Sequence, residues 1–178
     1  AEAITCAVPC GTPGVTLWSR KPFGQDLRNK FDYPLSAKYD ESDAMVLCDN
    51  VFVPWEKVFV HDNAEMSRAI YVETPSHAMG NHQSNIRFWA KMQLLTGVLS
   101  RITQSSGNNQ IPAVVDQLGR MAALEATLGG MIHGQIEAAE DWPQTAHGGA
   151  DEYVTINRRY TYAALNWCTE NHSMIIEM

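Results

Sequence analysis

No run of eighteen apolar residues occurs in the 178-residue chain, so no stretch reads as a membrane-crossing helix. A basic leader followed by an apolar secretory core is likewise missing from the sequence. Basic side chains are the minority, 13 Lys and Arg against 20 Asp and Glu, for a formal net charge of −7. That balance argues against binding to nucleic acid or to anionic membranes. Cysteine is scarce and scattered, at Cys6, Cys10, Cys48 and Cys168. Cys6 and Cys10 have no second pair and no neighbouring histidine, so neither a zinc site nor a disulfide framework is expected. The cysteines read as small apolar residues of a reducing compartment, the cytoplasm. Internal repeats and low-complexity segments are also missing. What remains is ordinary globular material, 45% hydrophobic and 19% charged, enough for one domain or two small ones.

The first sixty residues and the rest differ in kind. Residues 3–8 and 15–19 read as strands around the turn "CGTPG". A polar connector, "RKPFGQDLRNKFDY", follows, with Gly24 and few apolar residues, and reads equally as a mobile lid or a plain solvated loop. Ala44 to Cys48 predicts a strand buried on both faces, Asp49-Asn50 a turn, and Val51 to Val53 a second strand closed by Pro54. From Asn81 the period becomes helical. Ile86, Ala90, Leu94, Val98 and Ile102 mark one stripe, and Phe88, Met92, Leu95 and Leu99 a second, which predicts a helix buried among other helices. Three long helices are expected, over 83–106, 111–140 and 155–177, with Leu118, Leu128 and Ile132 buried and no strand after about Val60. In the second helix, Ile111, Val115, Leu118, Ala122, Leu128, Ile132, Ile136 and Ala139 form one apolar stripe that only Glu125 breaks. Gly129 and Gly130, each costing about 1 kcal/mol in a helix interior, imply close approach of a neighbour. "DWPQTAHGGADE" reads as a loop.

One segment carries a specific likeness. Pro34-Leu35-Ser36-Ala37-Lys38-Tyr39-Asp40-Glu41, then Asp43-Ala44, an apolar strand, Asp49-Asn50-Val51, and Val53-Pro54-Trp55-Glu56-Lys57-Val58-Phe59 follow one pattern. That pattern resembles the oxygenase component of the 4-hydroxyphenylacetate 3-hydroxylase family, and "AVPCGTPGVTL" upstream is similar to the same family's strand–turn–strand. The resemblance is dense up to about Phe59 and beyond it rests on helical layout. It implies an α+β chain: part of a small β-barrel-like domain over 1–62, then an antiparallel helical bundle over 63–178, incomplete, on an acyl-CoA-dehydrogenase-like fold. Family members are much longer. The chain therefore reads as an internal or C-terminal fragment, and alone it is expected not to turn over substrate.

The resemblance also implies the chemistry. Such an enzyme is a two-component, flavin-dependent aromatic monooxygenase of aromatic-compound catabolism. It hydroxylates a phenol ortho to its hydroxyl with O2 and reduced FAD, the FAD coming from a separate flavin reductase. The site must exclude water and help the phenol lose its proton, a task suited to histidine. His82 and His77, in "PSHAMGNHQSNIRF", are the candidate proton acceptors. Asn81 or Ser84 is placed to cap the helix start, and Ser84, Gln83 and Arg87 are the candidate flavin contacts, the last two one helical turn apart. On the residues alone, His82 reads as well as a capping or core-edge histidine, and Arg87 as a surface ion-pair partner. A homo-oligomer, dimer or tetramer, packed through the helices is expected.

Two other readings are carried. A 4-hydroxybutyryl-CoA-dehydratase-like flavoprotein shares the β motifs but adds an iron–sulfur cluster, and no cysteine lies between Cys48 and Cys168 to hold one. A non-catalytic helical assembly module would need only the apolar helices.

Overall fold

The computed structural model describes residues 3–23, 31–41, 43–146 and 153–178. The chain divides into two compact units, Ala1–Ser67 and Arg68–Met178. The first unit is built from two antiparallel ribbons. Strand β1 (Ile4–Cys6) pairs with β4 (Val58–His61), and the register slips between Thr5 and Cys6. Strand β2 (Val15–Ser19) pairs with β3 (Ala44–Cys48), from Val15 opposite Cys48 to Ser19 opposite Ala44. Gly14 makes the second ribbon possible. Its φ is +88°, and a Cβ there would run into the Asp49 carbonyl oxygen. That backbone approach is sealed by Asp49 N–H donating to Gly14 O at 2.9 Å.

Two expectations fail in this unit. Val51 to Val53 is not a strand. Asn50 turns the chain at φ 50°, Pro54 cannot donate to a ladder, and a 3-10 turn over Trp55–Lys57 hands pairing to β4 instead. Nor is β3 buried on both faces, since all five of its residues are exposed, Met45 at 64%. An apolar run shows that a strand wants cover, not that two strands suffice to supply it. Among the described residues there is no closed barrel.

Arg20, the first residue of the connector, ties its start to the Asp40–Asp43 segment beyond it; residues 24–30 of the connector lie outside the described residues. Its guanidinium donates to Asp40 Oδ1 at 2.6 Å, to Asp43 Oδ2 at 2.9 Å and to the carbonyls of Lys21 and Glu41. It also lies 4.3 Å from the centre of the Phe23 ring. Asp40 Oδ2 accepts from the Phe23 N–H at 3.0 Å. The hydrogen bond from Arg20 holds the Asp40 carboxyl below its ordinary range. A depressed carboxyl stabilises the fold above its unfolded pKa, about 4, and loses that contribution as pH falls through the lower folded value. The Phe23 amide signal, followed by NMR, is therefore expected to titrate only below about pH 4. In Arg20→Gln the midpoint is expected to rise, and an unmoved midpoint would show that Arg20 does not hold Asp40.

The second unit is a three-helix bundle with a short ribbon. Helix α1 (Ser36–Tyr39) is a single turn of the first unit, and α2 (Ala64–Val72) spans the division between the units. The long helices are α3 (Ser76–Ser105), α4 (Pro112–Glu137) and α5 (Arg158–Glu177), each packed on the other two. Pro112 opens α4, where a missing N–H costs nothing, and Asn157 caps α5 by accepting from Tyr160 N–H at 3.0 Å. The core consists of Met92, Met121, Leu128, Ile132, Ala164, Cys168 and Ile175, with Phe88, Trp89, Leu95 and Leu99 against it. Burial in this core pushes the Cys168 thiol up to about 11.

Helix α3 begins seven residues before the expected position, because Pro75 presets the first turn and Gly80 is carried inside. Only one of its two stripes is packed; Ile86, Leu94, Val98 and Ile102 are exposed. Leu118 is half-buried rather than buried, while Leu128 and Ile132 are buried as expected. The stretch expected as a loop after α4 starts a ladder, β5 (Glu140–Asp141) against β6 (Val154–Thr155), so Thr155 is strand and α5 begins three residues later. Its anchor is Arg158, which bonds Glu140 Oε1 through Nε at 2.8 Å and through its backbone N–H at 3.0 Å. Glu125 is explained, since its Oε1 accepts from Trp89 Nε1 at 2.5 Å. Gly129 admits the same indole, whose atoms would lie 3.0–3.1 Å from a Cβ there; Gly130 faces open space, contrary to expectation.

Candidate active site

The first half of α3 carries every candidate site residue, on different faces. Residues 82 and 85 are three apart and share the face toward α4 and α5. His82, 9% exposed, has Nδ1 2.6 Å from Gln135 Oε1. Asn85 Nδ2 donates to Thr161 O at 3.1 Å, and Thr161 Oγ1 to Asn157 O at 2.8 Å. Asn157 N–H donates to Gln135 O at 2.8 Å, which ties the start of α5 to the end of α4. The result is a polar knot inside an apolar bundle. The sealed atoms of the knot and its border that lack a hydrogen bond are Asn85 Oδ1, Gln135 Nε2 and Thr155 Oγ1.

His77 lies elsewhere on the helix, 500° of rotation from His82, which is 140° around the axis. Its Nδ1 is 2.9 Å from Tyr162 Oη, and its ring sits between Tyr71 and Tyr162 at centroid distances of 4.9 and 5.5 Å. The two histidines therefore belong to separate clusters.

Gln83, Ser84 and Arg87 are exposed and turn away from the knot. Ser84, Arg87, Phe88 and Lys91 line a surface depression of about 320 Å³, which Gln83 does not line. Two cations beside an aromatic ring are a donor set of the kind that suits a phosphate and a ring of a dinucleotide cofactor. Ser84 fits it less well, because its one O–H already donates to Gly80 O at 3.1 Å. Neither Asn81 nor Ser84 caps the helix. Both lie inside it and bond back to the preceding turn, Asn81 Nδ2 to His77 O at 2.9 Å. The free N–H groups of the helix start thus lie near Ser76, not beside His82.

Asn85, Gln135 and Thr161 are not among the residues that the sequence marks as candidates, although it carries a signal for them. Leu128, Ile132 and Gln135 fall at i, i+4 and i+7 on α4, and Thr161, Ala164 and Cys168 at i, i+3 and i+7 on α5. Each buried stripe carries a polar residue at the level of His82 and Asn85. Among the described residues no cluster of metal-ligating side chains occurs, and no helix is long and apolar enough to cross a membrane.

Short β ribbons followed by long packed helices, with a polar knot near the start of the first, form part of an acyl-CoA-dehydrogenase-like fold. The family model "4-hydroxyphenylacetate 3-hydroxylase C terminal" matches residues 67–178, and the corresponding N-terminal model matches residues 1–60. The chain belongs to the 4-hydroxyphenylacetate 3-hydroxylase family. It is 34% identical over 115 residues to the 4-hydroxyphenylacetate 3-monooxygenase oxygenase component of Geobacillus sp. (strain PA-9), an alignment covering 65% of this chain and 23% of that one. It is 31% identical over 149 residues to the 2,4,6-trichlorophenol monooxygenase of Cupriavidus pinatubonensis, covering 84% and 27%. The crystal structure of an oxygenase component of 4-hydroxyphenylacetate 3-monooxygenase, complexed with FAD and 4-hydroxyphenylacetate, superposes with a TM-score of 0.84 at 25% identity. That superposition covers 98% of this chain and 35% of that one. The chain thus spans about a quarter to a third of the length of these relatives.

Proposed function

We propose that the complete protein is the oxygenase component of a two-component aromatic monooxygenase, hydroxylating a phenol ortho to its hydroxyl with reduced FAD and O2. The observation that carries this reading is the superposition of 98% of the chain on an oxygenase crystallised with FAD and 4-hydroxyphenylacetate. When bound, reduced FAD supplies two electrons and activates O2; phenol, O2 and reduced FAD give catechol, water and oxidised FAD. In this proposal residues 1–62 belong to the β domain and 63–178 to the helical domain. Arg87, with Gln83 and Ser84 at its side, contacts the cofactor's polar part, and the buried flank of α3 keeps water from the reacting atoms.

His82 accepts the phenolic proton, and His77 is the second candidate. Nδ1 of His82 is occupied by Gln135, so in this proposal the proton goes to Nε2. The reduced flavin comes from a separate reductase, and the unpaired cysteines suit work in the cytoplasm. The test is to give the complete polypeptide reduced FAD, O2 and a panel of phenols, and to follow products by mass spectrometry. Ortho-hydroxylated product is expected with at least one phenol. Bound flavin without product from any of them would refute the activity.

A specific observation also favours association. The exposed stripe of Ile86, Leu94, Val98 and Ile102 runs along four turns of α3. We expect a homo-oligomer, a dimer or tetramer packed through the helices, and light scattering at micromolar concentration checks it. A clean monomer would count against it.

A further inference from the structure

We infer that Gln135 is a positioning residue for His82: its side-chain carbonyl holds the imidazole as the Nδ1–H tautomer and so presents the Nε2 lone pair. This rests on the proposal that His82 is the proton acceptor, and deepens it. Nδ1 and Oε1 lie 2.6 Å apart, and Gln135 is 0% exposed. An amide oxygen only accepts, so the ring nitrogen facing it must carry the proton. A neutral imidazole with its proton on Nδ1 has its lone pair on Nε2, the form a base needs at that atom.

The glutamine is itself held. Its backbone carbonyl accepts from Asn157 N–H at 2.8 Å, where α4 meets α5, so the side chain starts from a fixed point. Asn85, on the same face of α3 as His82, is tied to α5 instead, its Nδ2 donating to Thr161 O at 3.1 Å.

The unpartnered half of the amide carries the rest of the argument. Gln135 Nε2 is sealed from solvent and has no hydrogen-bond partner. Ile132 and Leu128, one and two turns earlier on the same stripe, fill their places with no polar atom to satisfy. For packing alone, glutamine is therefore the costlier occupant, because a buried amide NH2 without a partner is destabilising. What the position gains is the single bond from its oxygen to the His82 ring. Turning the amide over would move the NH2 onto Nδ1, reverse the tautomer and seal the oxygen without a partner instead.

The test reads the tautomer directly. In the complete polypeptide labelled with [15N]histidine, the His82 signals are identified by their loss in His82→Ala. At a pH where the ring is neutral, wild type is expected to show a protonated Nδ1 and a bare Nε2. Gln135→Met, of similar length and with no donor or acceptor comparable to the amide, is expected to release the ring to a mixture or to the Nε2–H form. Gln135→Glu returns an acceptor and is expected to return the Nδ1–H form. A protonated Nε2 in wild type overturns the inference whether or not any variant folds, and so does an unchanged tautomer in Gln135→Met. Turnover separates this from the base assignment. Gln135→Met should lower kcat about tenfold or more with KM little changed. Wild-type hydroxylation in His82→Ala would instead sink the role of His82 as base, whatever tautomer the spectra report.

Discussion

Replacing His82 by Ala in the complete enzyme is expected to slow hydroxylation by about 10²–10⁴-fold, the usual loss when a general base is removed. Flavin affinity should change little, because the residues proposed to contact the cofactor, Gln83, Ser84 and Arg87, lie on other faces of α3. The phenol then stays protonated and is a poor nucleophile, so more of the oxygen should leave as hydrogen peroxide. Raising the pH toward the phenol's own pKa should partly restore coupling, since solvent then removes the proton. The measurements are product and peroxide formed per flavin oxidised, as a function of pH. A variant that loses flavin affinity and shows no rescue at high pH would assign His82 to the frame of the bundle. The proton acceptor would then be sought first at His77, whose Nδ1 already meets the Tyr162 hydroxyl at 2.9 Å.

The second large effect is on stability. Leu128, 0% exposed, sits on α4 at the centre of the three-helix core. Leu128→Ala removes its packing and leaves a cavity, for an expected loss of about 2–5 kcal/mol in urea unfolding. Val115 lies on the same helix in the same sequence stripe but is 51% exposed. Val115→Ala is expected to change stability by about 0.5 kcal/mol or less. Equal losses at the two positions would mean that the buried face of α4 is not the one formed by Met121, Leu128, Ile132 and Gln135.

Those two residues show what periodicity can and cannot say. Spacing placed both Leu128 and Val115 on one apolar stripe, and the helix is where the spacing puts it, within a few residues at each end. But α4 is apolar over more of its circumference than the bundle covers. The contacts with α3 and α5 choose the strip that is buried, and Val115 and Ile136 fall outside it. The same holds on α3, where the stripe through Met92 is packed and the stripe through Ile86 is not.

The family likeness was legible because local backbone demands leave dense traces. Gly14 needs a positive φ beside Asp49, Pro54 ends a ladder, and Arg20 needs both Asp40 and Asp43. Such requirements act over a few residues or one ribbon, so they survive as readable motifs. The candidate site was only half legible. His77 and His82 stand out as histidines in a short segment, and Gln83 and Arg87 as one helical turn. The sequence cannot show that these pairs point in different directions, because the helix starts at Ser76 and its rotation is set by packing. Nor can it show that Gln135, fifty-three residues further on, meets His82. That partnership depends on the length of α3, the turn into α4 and the rotation of both helices, none of which any single residue encodes. The identity of the elements and the family came from local chemistry; the pairing of a buried imidazole with a buried amide was decided only when three helices closed on one another.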